Sequence, residues 1–308
     1  MAGTFEDEIG EISARASQPR AAVVIATKGR PAATPKVLEF LARQTILPQT
    51  VILSATNEAD IGEWSSNTLA VTRIYGTAGL TVQRNRALDL LGSDIDVVIF
   101  FDDDYAPCRD WIERCLRVFQ NNPSVVGLFG LTLKDGATQL PVSWDEAQRI
   151  VHEADGTVAG PELLMPCSSL YGCNMACRLS PAKGVRFDER LVLYGWLEDK
   201  DFSRRLTHKG SLVWCEQLRG VHLGLVSGRI SGKRFGYSQV VNAHYLRRKG
   251  VMSRREAARN IAMALVVNTL KSIRPEAHLD RRGRLLGNLI GLMSICRGSC
   301  EPEHATRI

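Results

Sequence analysis

Several classes of protein are excluded by what this chain lacks. Its eight cysteines, at 108, 115, 167, 173, 177, 215, 296 and 300, include no Cys-x-x-Cys pair. Their spacings fit no zinc pattern, so the thiols read as reduced and mostly buried apolar filler. Residues 1–20 are polar and acidic and lack the apolar stretch of a secretory signal, which makes the cytoplasm the expected location. No apolar run reaches the roughly 18–20 residues that cross a bilayer. The longest, Ile261–Val267 and Leu285–Cys296, are short and flanked by arginine. Aromatic residues are only 6% and are not interleaved with the basic ones, which argues against nucleic acid. No Gly-x-Gly-x-x-Gly follows the first apolar run, so a dinucleotide fold is not indicated. Gly228–Lys233 is one residue short of a phosphate-binding P-loop and is followed by Arg234. No calcium loop, internal repeat or low-complexity segment is present.

Within these bounds, 308 residues with 44% apolar and 23% charged content make an ordinary globular chain. That length suits one large α/β domain with additions, or two small ones. The net charge of +6 is uneven. Residues 1–12 are acidic, and 229–284 hold most of the Arg and Lys surplus. Such a surplus suits a polyanionic or membrane-surface partner, substrate phosphates, or a solvated basic face.

The most informative stretch is Val97-Val98-Ile99-Phe100-Phe101-Asp102-Asp103-Asp104. Five apolar residues of strand-forming type read as a strand buried on both faces. Three carboxylates at its end cannot be core, because unpaired buried charge is too costly. At the carboxyl end of a strand in an open α/β sheet they lie where such folds bind ligands. Adjacent carboxylates repel one another unless a cation lies between them, and Mg²⁺ or Mn²⁺ is the natural one.

Strand and helix signals alternate at short intervals before this point. Apolar runs at 21–26, 51–54, 69–75 and 95–101 read as strands, and 36–44 and 81–91 as helices, the second capped by Thr81. This alternation predicts an α/β domain with a doubly wound, mainly parallel sheet. A helix over 110–120 and a strand over 125–133 follow, and 134–165 reads as a long excursion near the site. Strands are expected at 168–178 and 212–215. Helices are expected at 198–207, 234–248, 254–272 and 279–296.

Two further groups belong with the Asp cluster. Thr27 and Arg30 follow the first strand, and a hydroxyl and a guanidinium on that sheet edge suit a nucleotide. Gly79–Asn85, with Arg84 and Asn85, would supply more polar contacts over the same crevice. A second acidic group, Trp196-Leu197-Glu198-Asp199-Lys200-Asp201-Phe202, stands at a predicted helix start. Charge capping of that helix accounts for it in part. A metal-bound nucleotide facing a carboxylate base also explains it, because transfer of a group to a hydroxyl needs both.

These segments in this order resemble the family 2 inverting glycosyltransferases of the GT-A fold. The resemblance rests on Val23–Thr27 with Arg30-Pro31, Arg84-Asn85, Phe100–Asp104, Gly172-x-Asn174, and Gly195–Phe202 with Arg205, over about residues 20–225. It implies a sheet flanked by helices with a C-terminal helical extension, and transfer of a sugar from a nucleotide-diphosphate donor to an acceptor hydroxyl with inversion, in polysaccharide or glycolipid synthesis. Thr27, Arg30, Arg84, Asn85, Asp102 and Asp103 would bind the nucleotide sugar. Asp102, Asp104 and His222 would hold Mg²⁺ or Mn²⁺. Asp199 would be the base with Glu198 beside it, and Trp196 and Asp201 would meet the acceptor, a saccharide or lipid-linked saccharide. Where many members carry an acidic residue for the nucleotide base, this chain has Ser54-Ala55-Thr56-Asn57, with Glu58 and Asp60 later. A sugar-nucleotide-forming nucleotidyltransferase and a non-catalytic nucleotide-sugar binder are the alternative readings.

The expected organisation is a leader over 1–20, a catalytic domain over 21–228 (nucleotide half 21–104, acceptor half 105–228) and a basic helical extension over 229–308. In that extension Leu285, Leu286, Leu289, Ile290, Leu292 and Met293 form an apolar stripe beside Arg281, Arg282 and Arg284. Such a stripe can pack on the catalytic domain, form a homodimer contact, or lie on the cytoplasmic face of a membrane.

Overall fold

Side chains in the first half of the chain divide with a period of two. In β1 (Ala21–Ala26), Val23 and Ile25 enter one core and Val24 the opposite one. After α1 (Ala33–Ala42), β2 (Thr50–Ala55), β3 (Val71–Tyr75) and α2 (Leu80–Leu88), the same division recurs in β4 (Val97–Asp102). There Val97, Ile99 and Phe101 pack with α1, while Val98 and Phe100 pack with α2. Both faces are covered, which is why these strands read as unbroken apolar runs. The chain is described by a computed structural model for residues 19–157, 160 and 162–308. Apart from residues 19 and 20, the expected leader lies outside them.

Next come β5 (Tyr105–Pro107), α3 (Trp111–Asn121), β6 (Val125–Asp135), α4 (Trp144–Asp155), β7 (Leu164–Pro166), β8 (Asn174–Arg178), α5 (Leu179–Ala182), α6 (Glu198–Leu206) and β9 (Ser211–His222). The described strands form a nine-stranded sheet in the order β3-β2-β1-β4-β8-β6-β9-β5, with β7 on β9. Pairings of β1, β2, β3 and β4 are parallel, as is the long β6–β9 ladder; β8 runs against both β4 and β6. This is the mixed, mainly parallel α/β sheet expected of a GT-A fold. Strands β1 to β4, β6 and β9 all point one way, so Thr27, Asp102, Asp135 and His222 end on one edge. Register places Asp135 opposite His222 and Ala26 opposite Asp102.

The structure departs from the sequence reading at identifiable places. The 134–165 excursion contains α4, whose start was signalled by Ser143 accepting a hydrogen bond from the Glu146 amide. Thr81 does not cap α2; Gly79, at φ +142, holds that position, and Thr81 donates to the Leu191 carbonyl. Only Asn174–Arg178 of the 168–178 segment is strand.

The C-terminal helices α7 (Gly232–Arg248), α8 (Arg254–Ile273) and α9 (Arg281–Cys296) pack through small residues. A Cβ on Gly287 would lie 2.0 Å from the Lys233 carbonyl, and one on Gly236 2.0 Å from that of Arg284. The inward face of α9 is therefore Gly287, Asn288 and Gly291, while Leu286, Leu289 and Met293 stay exposed. A leucine at the contact would hold the helices apart. All eight cysteines are free; six are buried.

Candidate active site

The loop after β1 is tied to the middle residue of the Asp cluster. Thr27 Oγ1 donates to one Asp103 oxygen and Arg30 Nη1 to the other, each at 2.6 Å. Arg30 also donates to the carbonyls of Ser227 and Leu225. Gln83 on α2 holds the same loop by donating to the Thr27 and Ser54 carbonyls. Asp60 anchors it from below by accepting from the Gly29 amide at 2.6 Å. Asp103 is thus a strut for Thr27 and Arg30, which leaves its neighbours to face the cavity.

Asp102, Asp104 and His222 offer ligand atoms that all lie within 4.8 Å of one another. His222 Nε2 is 3.4 Å from Asp104 and 3.8 Å from Asp102. Its other nitrogen, Nδ1, is 2.9 Å from Asp135, which also accepts from the Tyr171 hydroxyl. A carboxylate behind the imidazole fixes the ring and aims Nε2 at the cluster, as in histidines that ligate metals. Two carboxylates and an imidazole held this way fit a divalent cation, without choosing between Mg²⁺ and Mn²⁺. Burial pushes the Asp104 carboxyl up, but His222, Arg30 and the Leu225 amide outweigh it and hold the group below the carboxylate range. Burial opposes a charged His222, yet Cys173, Asp104 and Asp135 raise it well above 6.5. Uptake of a cation would displace that proton.

Arg84 joins the two acidic groups. It is 1% exposed, donating to Glu198 at 2.7 Å, to Asp102 at 3.0 Å and to the Gly172 carbonyl at 2.7 Å. Phe100 and Phe187 pack on the guanidinium at 5.5 and 5.4 Å. Gly172 carries no side chain because a Cβ would lie 3.0 Å from Glu198 Oε1. Glu198 is buried, and among the described residues its Oε2 has no hydrogen-bond partner. Burial, reinforced by Asp199 and Asp102 against Arg84, pushes Glu198 up to about 8. Asp199 is half-buried at the cavity wall and, among the described residues, accepts only from the Gly172 and Lys200 amides, at 3.2 and 2.7 Å. Burial raises its pKa as well, against those two amides. Of the two acids, Asp199 has the more open carboxylate.

The entry to α6 is strained. Leu193 and Leu197 take left-handed conformations, at φ 61 and 70, with Gly195 between them at φ 68. Such geometry costs of order 1–3 kcal/mol per residue and recurs at functional sites. Here it sets Tyr194 and Trp196 along the cavity wall.

A cavity of about 500 Å³ unites these groups. It is lined by Thr27, Arg30, Arg84, Asp102, Asp103, Asp104, Trp196, Glu198, Asp199 and His222. Two expected residues lie elsewhere. Asn85 is buried with its amide bonded to the Phe187 backbone and Glu189. Asp201 is fully buried between Arg205 at 2.6 Å and Lys249 at 2.7 Å. Both brace the site from behind. The wall also contains Tyr171, Phe235, Gln239 and Arg284, which no motif of the sequence marks as site residues. The last three come from the C-terminal helices. Phe235 packs edge-on to Trp196 at 5.3 Å and under the Arg284 guanidinium at 4.4 Å. The segment expected as an extension thus forms one side of the cavity.

Residues 22–156 match the family model described as glycosyl transferase family 2. The family 2 match includes Thr27, Arg30, Arg84 and the Asp cluster, and ends before Glu198, Asp199 and His222. With the sheet, it supports a sugar-transferring enzyme of GT-A type. The mannosyltransferase PcManGT of Pyrobaculum calidifontis, solved with GDP-Man and Mn²⁺, is similar at a TM-score of 0.53 and 12% identity, over 92% of this chain and 87% of that one. TarS of S. aureus, residues 1-349 with UDP, gives 0.48 at 14% identity, over 91% of this chain and 92% of its own. The likeness to PcManGT shows the fold. No curated protein sequence matches the chain.

Proposed function

We propose that this family 2 domain transfers a sugar from a nucleotide-diphosphate donor to a hydroxyl of a saccharide or lipid-linked saccharide, with inversion. The observation that carries the reading is one cavity in which Asp102, Asp104 and His222, gathered closely enough to share a cation, stand across Arg84 from the open carboxylate of Asp199. Asp102, Asp104 and His222 would hold a divalent ion, Mn²⁺ or Mg²⁺, which would supply positive charge to the departing nucleoside diphosphate. Thr27 and Arg30, locked by Asp103, shape the nucleotide end of the cavity. Asp199 takes the proton of the acceptor hydroxyl as its oxygen attacks the anomeric carbon, on the face opposite the departing diphosphate. Tyr194, Trp196 and Phe235 give the acceptor an aromatic wall. Fixed donors and a positioned base supply the rate through orientation and electrostatics.

The test is a panel of nucleotide sugars incubated with Mn²⁺ and no acceptor. The expected result is slow release of nucleoside diphosphate from one or two donors, stopped by EDTA. Consumption of a nucleoside triphosphate with a sugar 1-phosphate would instead identify a nucleotidyltransferase. Donor binding without turnover under any acceptor would leave a binding protein.

A further inference from the structure

The hairpin of α8 and α9 exposes an apolar face that the catalytic cavity does not use. On α8, Met263, Val266, Leu270 and Ile273 are 56, 55, 65 and 74% exposed. On α9, Leu286, Leu289 and Met293 are 51, 46 and 47% exposed. Steps of three and four residues keep each set on one side of its helix. Asn268 bonds Asn288 at 2.8 Å, and Arg282 donates to the Ser272 carbonyl, so the helices run antiparallel. That register sets Met263 level with Met293 and Leu270 level with Leu286. The two stripes make one patch, beyond the scattered apolar exposure usual on a monomer.

Arginines bound the patch at both ends. Arg259 and Arg274 flank the α8 stripe, and Arg282 and Arg297 the α9 stripe; all four are exposed. Every carboxylate of residues 254–297 is already engaged. Glu256 pairs with Lys200, Glu276 with Lys271 and Arg281, and Asp280 caps α9 at the Gly283 amide. A second copy docked by a two-fold axis would meet arginine with arginine and bring no free carboxylate from this hairpin. Anionic headgroups above an acyl layer complement both features, phosphate for the guanidiniums and hydrocarbon for the stripe. No described helix is long and apolar enough to cross a membrane, so the fit is to a surface.

We propose that the α8–α9 hairpin docks the protein on an anionic lipid bilayer. The opposite side of α9 carries Arg284 to the cavity, so docking holds one wall of the cavity beside the lipid surface. The inference goes beyond the proposed transfer and does not depend on which donor is used.

Flotation of the full chain with phosphatidylcholine vesicles, with and without phosphatidylglycerol, tests it. The protein should float with the anionic vesicles and sink with the neutral ones, and added salt should weaken the binding. A variant with Met263→Glu, Val266→Glu, Leu270→Glu and Leu289→Glu should keep its circular dichroism and remain at the bottom. A second variant, with Arg259, Arg274, Arg282 and Arg297 each replaced by Gln, should bind about a hundred-fold or more weakly. Failure of the wild-type chain to float, or flotation of the Glu variant like wild type, overturns the proposal. So does a dimer in light scattering that the Glu variant dissociates, which would assign the face to a second copy.

Discussion

Asp199→Asn is expected to lower sugar transfer by about 10²–10⁴-fold while leaving donor affinity unchanged. Among the described residues, the native carboxylate accepts hydrogen bonds from two backbone amides, those of Gly172 and Lys200. An Asn oxygen can keep one of them, so the fold and the Asp102, Asp104 and His222 group should stay undisturbed. What disappears is the group able to take the acceptor proton. The pH profile gives a second reading of the same role. Asp199 sits above its ordinary 3.8, raised mainly by burial. A base works only when ionised, so transfer should rise with pH along a limb that lies above the usual aspartate range, and the Asn variant should lose that limb. Donor titration and product assay on the two proteins check this. Ordinary turnover by the Asn variant would remove Asp199 from the role of base.

Arg84→Met should damage both halves of the site at once. The guanidinium is the shared cation of Glu198 and Asp102 and is enclosed by Phe100 and Phe187. Methionine fills similar space without charge, leaving Glu198 without its cation and Asp102 with only His222 nearby, at 3.8 Å. Breaking a buried pair in this way costs about 3–5 kcal/mol. A marked fall in the denaturant midpoint is expected. Without the cation, Asp102 also holds its proton more tightly, so divalent-ion affinity should drop in the folded variant. Arg84→Lys should recover part of the stability and little of the activity, because an ammonium cannot hold Glu198, Asp102 and the Gly172 carbonyl in one plane. Wild-type stability and ion affinity in the Met variant would refute this role.

Much of this framework is legible in the sequence. Runs buried on both faces announced β1 and β4, and carboxylates at the end of β4 announced a ligand edge. The partnership of His222 with Asp135 was not legible, because it depends on the register between two parallel strands 87 residues apart. Asn85 and Asp201 were misplaced for another reason. Both helices that carry them are covered on more than one side, so a polar residue at the right level can still turn inward to another partner. Which face of α9 packs is not legible in its leucine pattern either. Gly236 and Gly287 bring backbones so close that the small face packs and the large face is left outside. Phe235, Gln239 and Arg284 carry no motif and reach the cavity only through that packing.

On the proposed reading, Asp102, Asp104 and His222 hold a cation that a nucleoside diphosphate shares. Titration of Mn²⁺ followed by its paramagnetic resonance, with and without the nucleoside diphosphate released in the donor screen, tests it most directly. One Mn²⁺ site is expected, tightened by the nucleotide and lost in Asp104→Ala together with nucleotide binding. Nucleotide affinity that is the same in EDTA as in Mn²⁺, and the same in Asp104→Ala as in wild type, would contradict it.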